Sequence, residues 1–65
     1  MVNIDDYANL SLIAWNREQR LIEDAEALAL YEANWRLVDV GSISPAEQAL
    51  IDRLVREYGN GVLLV

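Results

Sequence analysis

The chain contains no Lys, His, Cys or Phe, and it has a single Pro. The absence of His and Cys excludes Cys–His and Ser–His–Asp catalysis and removes the usual zinc ligands. Without Cys there is no disulfide framework to indicate secretion, so the composition favours a cytoplasmic protein. We therefore expect neither an enzyme nor a protein that holds a metal ion or another cofactor.

Long apolar runs are also missing. Uninterrupted apolar stretches are only a few residues long, whereas a membrane-spanning helix needs about 20 such residues. No basic region precedes an apolar one near Met1, so the sequence predicts no signal peptide. An anionic lipid surface would repel an acidic chain, so we expect no contact with a membrane.

Negative charge is what the chain has in excess. Eleven Asp and Glu oppose five Arg, which gives a formal net charge of −6 over 65 residues. Nucleic-acid binding needs cations to neutralise phosphates, so no direct nucleic-acid binding is expected. A basic protein surface, in contrast, would attract the chain. The charge is uneven, because residues 1–35 have seven acids against two Arg, and residues 36–65 have four against three.

The hydrophobic content, 54%, predicts a folded chain with one domain over residues 1–65. Disorder would need low hydrophobicity together with high charge. A domain of this size buries only about 60% of the surface of its unfolded chain. Oligomerisation or unusually apolar packing must therefore stabilise it, and both a monomer and a homodimer stay open.

The first 34 residues have the pattern of helices. Asn3 is an N-cap with Asp6 at the capping-box position, and apolar residues then recur at helical spacing, which predicts a helix over Ile4–Asn16. The segment Arg17–Asn34 is rich in helix formers and has no Gly or Pro, which predicts a second helix. One long bent helix is the alternative, but it could not close a core by itself.

The pattern of residues 35–65 predicts a strand, a helix and a second strand, in that order. Trp35–Val40 mixes apolar and charged residues and predicts a strand that ends at Gly41. Val62–Val65 is a short apolar run and predicts a second strand, parallel to the first.

A third helix between these strands has the clearest local signal. Ser44 is its cap, Pro45 its first residue, and Glu47 is expected to reach back to the cap. A left-handed Gly59 is expected to end it. Its predicted core residues are Leu50, Ile51, Leu54, Val55 and Tyr58.

These elements predict a small α+β fold. Two N-terminal helices are followed by a short strand, a helix and a short C-terminal strand. An all-α fold with an extended tail is the alternative.

The expected contacts with a partner are six acids and two apolar side chains: Asp5, Asp6, Glu18, Glu23, Asp24, Glu26, Leu30 and Tyr31. Carboxylates three and four positions apart on a helix stand about 5–6 Å apart, so they can present a line of charge as a phosphate backbone does. A solvated helix face is the alternative interpretation. Leu30 and Tyr31 lie among acids on the helical wheel, which is the pattern of an interface hot spot, although packing beneath the first helix would also explain them. We expect both Trp side chains to be buried.

In size, acidity and lack of catalytic groups, the whole chain resembles the small acidic inhibitors of phages, including anti-CRISPR proteins and other DNA mimics. The resemblance implies an inhibitor that occupies the DNA-binding surface of a CRISPR surveillance complex through the acids of its N-terminal half. The alternative function is an antitoxin or a homodimeric interaction module, in which an apolar helix face completes a core with the partner.

Overall fold

The computed structural model describes residues 1–59, which form helices and a small sheet. The regular elements are β1 (Val2–Asn3), α1 (Ala8–Ile13), β2 (Leu21–Ile22), α2 (Asp24–Ala33) and α3 (Pro45–Tyr58). Short 3-10 helices occupy Ile4–Asp6, Trp35–Leu37 and Val40–Ser42. This is a small α+β fold, so the predicted class is confirmed.

The sheet is an antiparallel pair of strands from the N-terminal half. Val2 lies opposite Ile22, and Asn3 lies opposite Leu21. Val2 and Ile22 are buried, whereas Leu21 is exposed, so one face of the pair covers the core. The prediction of a helix through Leu21 and Ile22 is wrong, because pairing with a distant strand overrides the helix propensity of this segment.

The two predicted N-terminal helices exist but are shorter than expected. Asn3 does act as a cap, but its Oδ1 accepts from the Asp5 backbone N–H (3.0 Å) at the start of a 3-10 helix. The α-helix that follows ends at Ile13, and α2 begins only at Asp24. Two separate helices are therefore confirmed, and their predicted bounds are wrong.

The predicted strand Trp35–Val40 is wrong. The Leu37 N–H donates to the Asn34 carbonyl (2.8 Å) and the Val38 N–H to the Trp35 carbonyl (3.0 Å), which are the bonds of a 3-10 turn. Within residues 1–59 the sheet consists of β1 and β2, so this segment has no neighbouring strand to pair with. The predicted strand Val62–Val65, with its parallel pairing, lies outside the described residues.

Helix α3 confirms the local signals of its sequence. Ser44 Oγ accepts from the Glu47 N–H (3.2 Å), and Pro45 is the first helical residue. The helix ends before Gly59 as predicted, but with φ −105° this Gly is not left-handed. Tyr58 is 51% exposed, so its predicted burial is wrong. The core residues that α3 does bury are Leu50, Ile51 and Leu54.

The core lies between the helices, with α2 packed on α3 and α1 packed on α2. Ile4, Leu10, Ala27, Tyr31 and Leu54 are each 0% exposed. Among residues 1–59, no helix combines the length and the apolar character needed to cross a membrane.

Candidate protein-binding surface

Glu47 is the polar centre of the core and holds three helices together. It is 0% exposed. Its Oε1 accepts from the Asn9 N–H (3.1 Å) and the Asn9 side-chain amide (3.2 Å). Its Oε2 accepts from the Leu10 N–H (3.0 Å) and the Tyr31 hydroxyl (2.6 Å). The expectation that Glu47 reaches back to its own cap is therefore wrong: it caps α1, whose first N–H groups have no partner within that helix.

Tyr31 and Leu30 do not form the exposed hot spot that the helical wheel predicts. Tyr31 is 0% exposed, and Leu30 is partly buried against the core. The Tyr31 ring meets Trp35 edge to face, with 6.4 Å between the ring centroids. Burial raises the pKa of the Tyr31 hydroxyl, and the hydrogen bond to Glu47 raises it further. The burial agrees with the alternative interpretation, packing beneath the first helix, because Glu47 joins the Tyr31 hydroxyl to the backbone of α1.

Three of the acids expected to contact a partner are paired within the molecule. Arg20 pairs with Asp5 (2.8 Å), Arg17 pairs with Glu26, and Arg53 pairs with Asp24 (3.0 Å). The hydrogen bond from Arg53 holds the pKa of Asp24 below its ordinary value, although burial acts in the opposite direction.

The other three acids of the predicted set are exposed. Asp6 ends the first 3-10 helix, Glu18 lies between α1 and β2, and Glu23 is the residue before α2. Within the part of the chain that the structure describes, none of the three has an ion-pair partner or a side-chain hydrogen bond. The free acids therefore stand on separate connecting segments, and the expected line of charge along one helix does not form.

The largest exposed aromatic side chain is Trp15, at 78% exposure. Leu12 (57%) and Leu37 (54%) are exposed beside it, and we call these three side chains the tryptophan surface. With Ile13, Asn16 and Asn34 they line an open hollow of about 530 Å³. None of these six residues is charged.

The expected burial of Trp15 is wrong, and the sequence contains little that could have corrected it. Helix α1 ends at Ile13, so Trp15 lies beyond the helix that buries Leu10 and Ile13. No Gly or Pro marks this end. The turn is set instead by contacts with residues that follow later in the chain.

Arginine side chains fix the segment that presents Trp15. Arg20 Nη1 donates to the carbonyl oxygens of Ala14 and Arg17, at 3.0 Å each. Arg20 Nε also donates to Asp5 (3.0 Å). Because Arg17 in turn pairs with Glu26, the segment is held to α2 as well as to the chain before α1. Two of the predicted contact acids thus position the tryptophan surface.

In the described part of the chain, no group of three or more Asp or Glu side chains is arranged to hold a metal ion. Comparisons with protein-family models, with curated proteins and with solved structures found no match for this chain. Function is therefore inferred from the chemistry of the surface.

Proposed function

We propose that the protein is a small acidic inhibitor that binds the basic, nucleic-acid-binding surface of a larger protein, as DNA mimics such as anti-CRISPR proteins do. One observation carries this function. Asp6, Glu18 and Glu23 are exposed and lack a cationic partner within residues 1–59, on a chain of net charge −6. The proposal includes a cytoplasmic location and assigns the protein no catalytic step and no cofactor.

Free carboxylates suit this function better than paired ones. An exposed ion pair contributes only about 0.2–1 kcal/mol to stability, but a paired acid presents no net charge to a partner. Within residues 1–59 no cationic side chain pairs with Asp6, Glu18 or Glu23, so their carboxylates are available to a partner. A surplus of one sign steers the encounter with a surface of the other sign and makes the association rate fall with salt.

The test compares two triple variants that remove the same charge from different places. One removes the free acids (Asp6→Asn, Glu18→Gln, Glu23→Gln). The matched control removes exposed acids of the C-terminal half (Asp39→Asn, Asp52→Asn, Glu57→Gln). Each protein is immobilised, a bacterial lysate is passed over it, and the captured proteins are identified by mass spectrometry. Elution is then measured with increasing salt and with duplex DNA.

We expect the wild type and the control to retain a nucleic-acid-binding protein that duplex DNA and salt displace. The variant without the free acids should retain at least about tenfold less, a loss of about 1.4 kcal/mol. Equal losses in both variants would show that total charge matters and that these acids are not the contact. Retention that neither DNA nor salt reduces would contradict the proposal.

The alternative function, an antitoxin or homodimeric module, has support from one observation. An apolar contact face cannot be built from Leu30 and Tyr31, because Tyr31 is 0% exposed. The tryptophan surface, however, offers the exposed apolar side chains of Leu12, Trp15 and Leu37 for such a contact. Sedimentation equilibrium of the purified protein tests the homodimeric form of this alternative, because a homodimeric module sediments as a dimer in the absence of any other protein and a monomer contradicts it.

A further inference from the structure

The tryptophan surface has the composition of the centre of a protein interface. Such centres are depleted of charge and enriched in aromatic residues, with a polar rim around them. The hollow at Trp15 has no charged lining residue, and its polar lining residues are Asn16 and Asn34. Trp is also the residue type most enriched among side chains that dominate binding energy. Trp15 is 78% exposed on a segment that is held in place, so it is suited to insert into an apolar pocket of a partner protein.

The segment is prepared for binding before a partner arrives. Arg20 bonds the carbonyl groups on either side of Trp15, and Arg17 pairs with Glu26 of α2. Ordering a loop on association costs affinity, so a loop that is already ordered binds more tightly. Simple solvent exposure of a Trp would not require this support.

The net negative charge of the molecule favours a cationic partner protein over a second copy of the chain at this surface. A second copy has the same net charge of −6 and is repelled, whereas a cationic partner is attracted. In the sequence, charged residues of both signs flank the residues of the hollow: exposed Glu18 lies three positions after Trp15, and exposed Arg36 directly precedes Leu37. The attraction therefore comes from the molecule as a whole and acts on the outer side chains of the partner, while its central side chains must be apolar.

The shape of the surface favours a helix as the occupant. Addition of a strand needs an open sheet edge, and neither β1 nor β2 lines the hollow. The exposed groups are the side chains of Leu12 in α1, of Trp15 in the turn after α1 and of Leu37 in the 3-10 helix Trp35–Leu37. An amphipathic helix lays its apolar face into a hydrophobic groove and is held there by side chains, which fits this hollow.

We propose that the tryptophan surface binds an amphipathic helix of the partner protein, with apolar side chains over Trp15 and Arg or Lys on the flanks. This inference rests on the proposed function for the sign of the partner's charge. It adds the place of contact and the kind of segment that is bound.

Fluorescence of Trp15 tests the inference directly. The variant Trp35→Phe leaves Trp15 as the only Trp and keeps an aromatic ring against Tyr31. Three synthetic peptides of about 20 residues, long enough to form helices, serve as probes. The first has leucine on one helix face and arginine on the other, the second has glutamate in place of arginine, and the third has serine in place of leucine.

With the leucine–arginine peptide at about 0.15 M salt, we expect a saturable blue shift of Trp15 emission and protection of Trp15 from acrylamide quenching. Trp15→Ser in the otherwise wild-type chain should weaken binding of this peptide by about tenfold or more, measured by calorimetry. Leu21→Ser is the matched control, because Leu21 is 51% exposed but does not line the hollow. It should bind like the wild type.

Each of the following outcomes of the peptide experiments contradicts a part of the inference or of the proposed function. Salt-sensitive binding of the leucine–arginine peptide with no change at Trp15 overturns this inference and leaves the proposed function standing. If the leucine–glutamate peptide binds as tightly as the leucine–arginine peptide, the apolar contact stands. The requirement for a cationic partner is then wrong, and so is the proposed function. A blue shift that grows with protein concentration alone identifies a second copy as the occupant and overturns the inference. No binding of the leucine–arginine peptide also overturns it.

Discussion

At the scale of single residues, the Tyr31 hydroxyl shows how burial and one hydrogen bond control ionisation. The side chain is 0% exposed, and its hydroxyl donates to Glu47 over 2.6 Å. Loss of the hydroxyl proton would leave a phenolate in the core beside a carboxyl group. Burial is the main cause that raises the pKa of Tyr31, and the neighbouring Glu47 adds to it.

This shift predicts a loss of stability at high pH. In the unfolded chain Tyr31 ionises near its ordinary pKa of 10.0, while in the folded protein its raised pKa keeps it protonated. As the pH rises through 10 the unfolded state therefore binds fewer protons than the native state, and the slope from this group approaches a loss of about 1.4 kcal/mol of unfolding free energy per pH unit. Well below pH 10 the contribution of Tyr31 does not vary with pH.

Urea unfolding between pH 9 and pH 11.5 measures this slope. Tyr31→Phe should unfold more easily at neutral pH, by about 1–3 kcal/mol because a buried acceptor loses its donor, but should lack this part of the alkaline slope. Tyr58→Phe is the control, because Tyr58 is 51% exposed, and it should keep the slope. An unchanged slope in Tyr31→Phe would contradict the account.

At the scale of elements, α1 depends on α3 for its existence. It has only six residues, and isolated helices shorter than about 12–15 residues are marginal in water. Tyr7, its N-cap residue, provides no side-chain hydrogen bond. Glu47 of α3 supplies the missing acceptors to Asn9 and Leu10. The carboxyl group therefore joins the two helices as well as capping one of them.

Glu47→Gln tests this connection with almost no change of shape. The amide offers one acceptor oxygen in place of two and directs an N–H group at donors, so at least one buried N–H or hydroxyl loses its partner. We expect a loss of about 3 kcal/mol or more, a large part of the roughly 3–10 kcal/mol available to a chain of 65 residues. Urea unfolding measures it.

Glu57→Gln is the matched control for this prediction. Glu57 is exposed and pairs with Arg53 at the surface (3.0 Å), so its loss should cost no more than about 1 kcal/mol. If Glu47→Gln were no more destabilised than this control, the carboxyl group would not be the connection between α1 and α3.

The range of the contacts explains which elements could be predicted. Helix α3 is specified by neighbours in sequence, since the bond from Glu47 to Ser44 spans three residues, and its bounds were predicted closely. Strand β2 has only two residues and exists because it pairs with Val2 and Asn3, which no local pattern indicates. The second function of Glu47 and the exposure of Trp15 depend on equally distant contacts, which the sequence did not reveal. Asp6, Glu18 and Glu23 are exposed as a contact surface requires, and their role as contacts stays a prediction.

At the scale of the whole molecule, the acidic side chains of residues 1–59 divide into acids that pair with arginines and acids that have no such partner. Arg17, Arg20 and Arg53 pair with acids and hold segments together. Glu47 is buried, but Asp6, Glu18, Glu23, Asp39 and Asp52 lie exposed on a chain with a net charge of −6. Paired charges stabilise over short distances, whereas the surplus repels itself over the whole molecule. Repulsion among these acids therefore lowers the stability of the folded state, and salt reduces this repulsion by screening it.

The free energy of unfolding should consequently rise with ionic strength. Between about 0.01 M and about 0.15 M NaCl the Debye length falls from about 30 Å to about 8 Å, which screens long-range repulsion more than contacts of about 3 Å. We expect a gain of a few tenths to about 1 kcal/mol, measured by urea unfolding at pH 7. The variant Asp6→Asn, Glu18→Gln, Glu23→Gln should show a smaller gain, because it removes repelling charges and no internal pair. A stability that falls with salt would mean that the internal ion pairs outweigh the repulsion between the surplus acids, and this account of the electrostatic cost would be wrong.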